Sequence, residues 1–123
     1  LLGNHGADIR RMSVDDHDMY MSYVLGLSHA VNIAFFTVLD RSGIDFQDVK
    51  SVASTTFNKL MDTNESVALE DPYLYYEIQH LNSNRELMLR EFDSAVHDVV
   101  DAALSDDPRA FKELMGRGRE YFT

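Results

Sequence analysis

The sequence predicts an all-α protein, and three observations carry that prediction. Apolar residues recur at steps of three and four through most of the chain, the spacing that lines one face of a helix. Asp or Ser stands just ahead of these runs, twice with Pro close behind, the pattern of a helix start. No stretch alternates apolar and polar residues as a half-buried strand does. The expectation is about five helices, two of them long, in one domain spanning residues 1–123.

Residues 1–12 read as an irregular, glycine-containing lead-in that ends in Arg10-Arg11. Ser13 caps the first helix, with Asp15 and Asp16 in the first turn, where the helix dipole favours them. That helix runs from Ser13 to about Asp40. Tyr20, Tyr23, Val24, Leu27, Val31, Ala34, Phe35, Val38 and Leu39 hold its apolar spacing. From Ala30 onward nearly the whole circumference is apolar, which marks a helix buried on all sides. The fully apolar run is about 10 residues, below the roughly 18 that signal a membrane span. A central helix of about 40 Å follows. A chain this short is hard pressed to surround it, so a second copy is expected to help.

Gly43 reads as the left-handed stop of this helix. Asp45 caps a second helix over 46–61, and Asp62-Thr63-Asn64 reads as a break before a short turn of helix over 65–69. Asp71 as cap with Pro72 in the first turn opens a long helix to about Ala103. Ser105-Asp106-Asp107-Pro108 repeats the device ahead of a last helix over 108–122, with Phe111, Leu114, Met115 and Phe122 on its apolar face.

The net charge of −10 disfavours nucleic acid and anionic membrane as partners. The absence of Cys removes disulfides and thiolate metal sites and fits a cytoplasmic protein. The N-terminus lacks the basic and apolar regions of a signal peptide. It also begins without Met, and the chain reads as a piece of a longer protein.

Most polar features read as ordinary surface. His17-Asp18 resembles part of the ligand set of metal-dependent phosphohydrolases, but His5 in the lead-in is a poor first ligand and no later Asp completes the set. No metal site is expected. His80 and His97 stand alone on the fourth helix, Arg85, Glu86 and Arg90 form a charged face, and Arg117 and Arg119 make a small basic spot. Tyr73, Tyr75 and Tyr76 read as core or interface aromatics. No glycine-rich phosphate loop follows a strand, so no cofactor site is expected in this chain. Ser28-His29 differs: it sits mid-helix among apolar neighbours, with Asn32 one turn on. A buried His needs partners. The pair is either a hydrogen bond sealed between helices or the polar end of a small-ligand pocket lined by His29 and Asn32.

The run Gly6-Ala7-Asp8-Ile9-Arg10-Arg11-Met12-Ser13, then His17-Asp18, Met21, Tyr23-Val24, Leu27 and His29, resembles the start of the helical C-terminal domain of prephenate dehydrogenases. Glu70-Asp71-Pro72 with Leu74-Tyr75, Ile78 and Asn84 resembles that domain's Asp-Pro helix start. The resemblance spans nearly the whole chain. It implies an intertwined helical homodimer that closes one side of a prephenate pocket. It also implies an upstream domain holding NAD or NADP and the catalytic His, so this chain has no catalytic residue and is inactive alone. The full enzyme would convert prephenate to 4-hydroxyphenylpyruvate by oxidative decarboxylation, on the route to tyrosine.

Within the resemblance, His29 matches a pocket histidine that meets prephenate or tyrosine, and Ser28 and Asn32 flank it. Many members place an Arg five residues before the Asp of the Asp-Pro pair, and here that position is Ser66. Lys59, or Arg10 and Arg11, would then supply the cation that a dicarboxylate needs. Two other readings compete: a non-catalytic helical dimerisation or regulatory module that binds an aromatic amino acid or nothing, and the metal phosphohydrolase suggested by His17-Asp18. An upstream nucleotide-binding segment separates the first from the dehydrogenase, and metal analysis disposes of the second.

Overall fold

The computed structural model describes residues 13–123, and among them every regular element is helical. Helix α1 (Val14–Met21), a π-helical turn (Ser22–Leu27) and α2 (Ser28–Ser42) form one continuous helix, Val14–Ser42. Helices α3 (Phe46–Ser51), α4 (Thr55–Ala68), α5 (Pro72–His80), α6 (Arg85–Leu104) and α7 (Arg109–Phe122) follow. The all-α expectation holds, with six helices among the described residues instead of five. The lead-in over 1–12, including His5, Arg10 and Arg11, lies outside the described residues.

The expected caps are in place. Ser13 Oγ accepts from the Asp16 amide at 3.1 Å, and Asp45 accepts from the Gln47 amide at 2.8 Å. Asp71 accepts from the Tyr73 amide at 2.9 Å, with Pro72 opening α5. Gly43 takes φ 73°, the left-handed conformation that only glycine adopts without strain.

Two boundaries differ from the expectation. The break lies at residues 52–54, ahead of Asp62-Thr63-Asn64. Ser54 caps α4 by accepting from the Phe57 amide at 3.2 Å. The helix then runs through the polar triplet, because Thr63 and Asn64 donate to the carbonyls of Lys59 and Leu60 one turn back, at 3.2 and 2.7 Å. The long helix expected over 72–103 is also two. Asn82 turns the chain between α5 and α6: its Oδ1 accepts from the Asn84 amide at 2.7 Å, an alternative to continuing the helix.

The chain forms two compact units, one up to Met88 and one over Leu89–Thr123. In the first, α2 packs chiefly on α4. Phe35 and Phe57 meet there with ring centroids 5.8 Å apart. Helix α5 runs antiparallel to the first helix: Tyr75 meets His29, Gln79 meets Gly26 and Asn82 meets Asp18. Met88, 2 % exposed, and Val67 are the buried apolar side chains described here. The second unit holds the rest of α6 and α7, and its buried residue is Ala102.

The continuous helix Val14–Ser42 is long and apolar enough to cross a membrane by length and composition. Counting only its fully apolar run, as the sequence reading did, understates its mean hydropathy. Its polar side chains bond within the helix: Ser22 Oγ donates to the Met19 carbonyl at 2.6 Å, and Thr37 Oγ1 to that of Ile33 at 2.6 Å.

Candidate functional site

The site is built where α5 crosses the first helix. Gly26 lies inside the π turn and is buried. A Cβ there would stand 2.8 Å from Met88 Cε and in ordinary contact with Gln79 Oε1 at 3.4 Å, so a methyl at this crossing would have to push aside the end of the buried Met88 side chain. Gln79 Nε2 donates to the Gly26 carbonyl at 2.7 Å. That bond fixes which end of the carboxamide is oxygen, and Gln79 Oε1 is buried without a partner.

One turn along this crossing, the His29 ring stands edge-on to Tyr75, with centroids 4.5 Å apart and planes at 78°. His29 is half-buried, and its Nδ1 has no hydrogen-bond partner. Burial pushes its pKa below the usual 6.5, so the ring is held neutral around neutral pH. A neutral imidazole carries one donor and one acceptor nitrogen, and the unpartnered Nδ1 is enclosed by the protein.

Beside Tyr75 the groove widens into a cleft of about 420 Å³ between α2, the end of α4 and α5. Ile33, Phe36, Val67, Tyr75 and Tyr76 give it an apolar lining, and Gln79 and Glu70 are polar members. The charged lining residue is a carboxylate. The cleft can hold an apolar ring, but a dicarboxylate needs cations from elsewhere.

Of the residues singled out from sequence, Asn32 is buried and donates from Nδ2 to the Ser28 carbonyl at 2.8 Å, so its amide is used within its own helix. Ser28 is exposed. His29 adjoins the cleft through Tyr75 and is not part of its lining. Lys59 is exposed on α4 and does not line the cleft. Ser66 donates to the Asp62 carbonyl at 3.1 Å. Sequence reasoning missed Gln79 and the π turn. The signal present was Gly26 mid-helix, the kind of residue that marks close backbone approach.

The remaining histidines have local explanations. His80 stacks on Tyr76, with centroids 5.1 Å apart. His97, fully exposed, pairs with the Asp93 carbonyl at 2.8 Å, which together with the Asp93 carboxylate raises its pKa. His17 sits 3.8 Å from the Asp18 carboxylate on an exposed first turn. Among the described residues no three acidic or histidine side chains are placed to share a metal.

A family model described as "Prephenate dehydrogenase, dimerization domain" matches residues 13–117. The chain belongs to this family. The prephenate dehydrogenase dimerization domain is a helical unit here, and the match runs from the Ser13 cap into α7. A "Probable arogenate/prephenate dehydrogenase" of Methanocaldococcus jannaschii is 22 % identical over 121 residues. That alignment covers 98 % of this chain and 27 % of the relative, so the chain spans about a quarter of that protein's length. No solved structure matches the chain. Of the glycines in the described residues, Gly26 is packed in a helix crossing, and Gly116 and Gly118 lie inside α7.

Proposed function

We propose that this chain is the dimerisation and substrate-side part of an NAD- or NADP-dependent enzyme. That enzyme oxidatively decarboxylates prephenate or its aminated relative arogenate on the route to tyrosine. The observation that carries the reading is the family match over 13–117. The dinucleotide and the catalytic His belong to a part of the enzyme outside this chain, and so does the chemistry. The family is one of soluble biosynthetic enzymes, and the enzyme is cytoplasmic.

The domain works as a homodimer. Val24, Val38, Val99, Met115 and Phe122 are among the large apolar side chains left bare. A second copy covering them also explains a helix greasy enough to pass for a membrane span.

The ligand-side role of this chain centres on His29, which contacts prephenate or the feedback inhibitor tyrosine, with Ser28 and Asn32 shaping its turn. Glu70 in the cleft and Ser66 at the family's Arg position leave the dicarboxylate short of cations here. Lys59, Arg10, Arg11 or the other part of the enzyme supplies them.

The test is to express the uninterrupted protein to which this chain belongs and follow NAD(P)H formation with prephenate and with arogenate. Turnover of either supports the reading, and His29→Ala should then weaken prephenate binding, tyrosine inhibition or both. A folded dimeric protein that turns over neither substrate with either cofactor would leave the non-catalytic regulatory module as the better reading.

A further inference from the structure

We propose that Gln79 is the positioning residue for His29: its carboxamide, clamped to the Gly26 carbonyl, holds the π turn that aims the imidazole. This rests on the reading of His29 as the ligand-side residue. A π turn carries one residue more than the α-helical ladder, which rotates the helix face beyond it by roughly 100°. The residues that benefit are those just past Leu27, and His29 is the polar ring among them.

Two rungs of one crossing tie this rotation to α5. Gly26 and His29 are one turn apart on the first helix, and Gln79 and Tyr75 are one turn apart on α5. Gln79 Nε2 bonds the Gly26 carbonyl at 2.7 Å, and Tyr75 meets His29 at 4.5 Å between centroids. Gln79 also packs against Gly26 beside Met88. Its Oε1 sits 3.4 Å from where a Gly26 side chain would begin, and Met88, the most buried apolar residue described, closes the same spot at 2.8 Å. A carboxamide that leaves its own Oε1 buried without a partner has been placed for what its Nε2 does.

His29 itself has no hydrogen bond at Nδ1 to hold it. Its orientation therefore depends on the backbone beneath it and on Tyr75. A side chain that fixes that backbone fixes the direction of the imidazole, without touching the ligand.

The test begins with the unaltered chain by NMR. The Gln79 side-chain amide protons should exchange with solvent much more slowly than those of Gln47, the exposed glutamine of α3. Equal exchange would overturn the proposal. Gln79→Met keeps the length and removes the donor. It should move the His29 ring-proton shifts toward those of Tyr75→Leu, which lacks the neighbouring ring, and return the His29 titration toward its ordinary value. Gln79→Leu, a second removal of the donor, should do the same and serves if Gln79→Met does not fold. Asp71→Ala, a comparable loss of stability at the α5 cap, should leave His29 where it is. A folded Gln79→Met or Gln79→Leu with unchanged His29 resonances would overturn the proposal. In the uninterrupted enzyme, Gln79→Met should raise KM for the substrate about tenfold, the worth of one hydrogen bond. If the His29 resonances move and KM does not, Gln79 positions His29 but the assignment of His29 to the ligand fails.

Discussion

The two units of this chain hold themselves together in different ways. In the first, polar bonds cross between helices far apart in sequence: Gln79 to Gly26 and Asn82 to Asp18. Met88, Val67, Ser22, Asn32 and Asn64 are buried around them. In the second, the hydrogen bonds described are local. His97 bonds within α6, Asp107 accepts three side-chain bonds from Arg109 at 2.6 to 3.1 Å, and Thr123 bonds within α7. Val99, Val100, Leu104, Phe111, Met115 and Phe122 remain bare. A helix pair with one buried alanine cannot offset its ordering entropy alone. The first unit is tied by bonds between its own helices, and the second leaves an apolar surface bare.

Substitutions should separate the two. Val99→Asp and Met115→Asp place charges on faces that are half-exposed or more in the single chain. If those faces meet a second copy, each should weaken the dimer by about 2–4 kcal/mol, as interface hot spots do. Size-exclusion chromatography over a dilution series reads this. No change in elution would mean these faces stay in solvent. In the first unit, Met88→Ala should cost about 3 kcal/mol by opening a cavity at the crossing, read as a lower urea midpoint.

Glycine-to-alanine changes sharpen the contrast at smaller scale. Gly116 in α7 has nothing within 4 Å of a new Cβ. Gly116→Ala should stabilise by about 0.5–1 kcal/mol through helix propensity alone. Gly26→Ala gains the same propensity but forces the end of the buried Met88 side chain aside, for a net loss of about 1 kcal/mol. Equal shifts in melting temperature would mean that the crossing is looser than the 2.8 Å approach implies.

These elements were unequally legible in the sequence. Capping chemistry is local, so Ser13, Gly43, Asp45 and Asp71 announced themselves. Asp62-Thr63-Asn64 misled because Thr63 and Asn64 satisfied their side chains on their own helix, an outcome that composition does not distinguish from a break. Asn82-Ser83-Asn84 is a turn signal overridden by strong flanking periodicity. The π turn and the role of Gln79 depend on Met88 and α5 arriving from elsewhere in the chain, and local spacing does not encode that. His29 stood out as a polar residue on a greasy helix, but its neighbour Tyr75 and its free Nδ1 needed coordinates.

The smallest expected effect is electrostatic. The folded chain lowers the pKa of His29, so the unfolded chain binds the proton more tightly. Stability should therefore be fully present above about 6.5 and decline as pH falls through that value and the lower folded one. His97 has the opposite sign, its raised pKa favouring the fold at lower pH, and being fully exposed it counts for little. His29→Leu should flatten the decline in a pH series of urea midpoints. A slope unchanged by that substitution would place the titration elsewhere.

Sedimentation equilibrium of the chain at micromolar concentration is the most direct test of a dimerisation domain whose second unit is left uncovered. The predicted result is a single species of twice the chain mass, with helicity and mass lost together on dilution. A cooperatively folded monomer with the same helicity would contradict it.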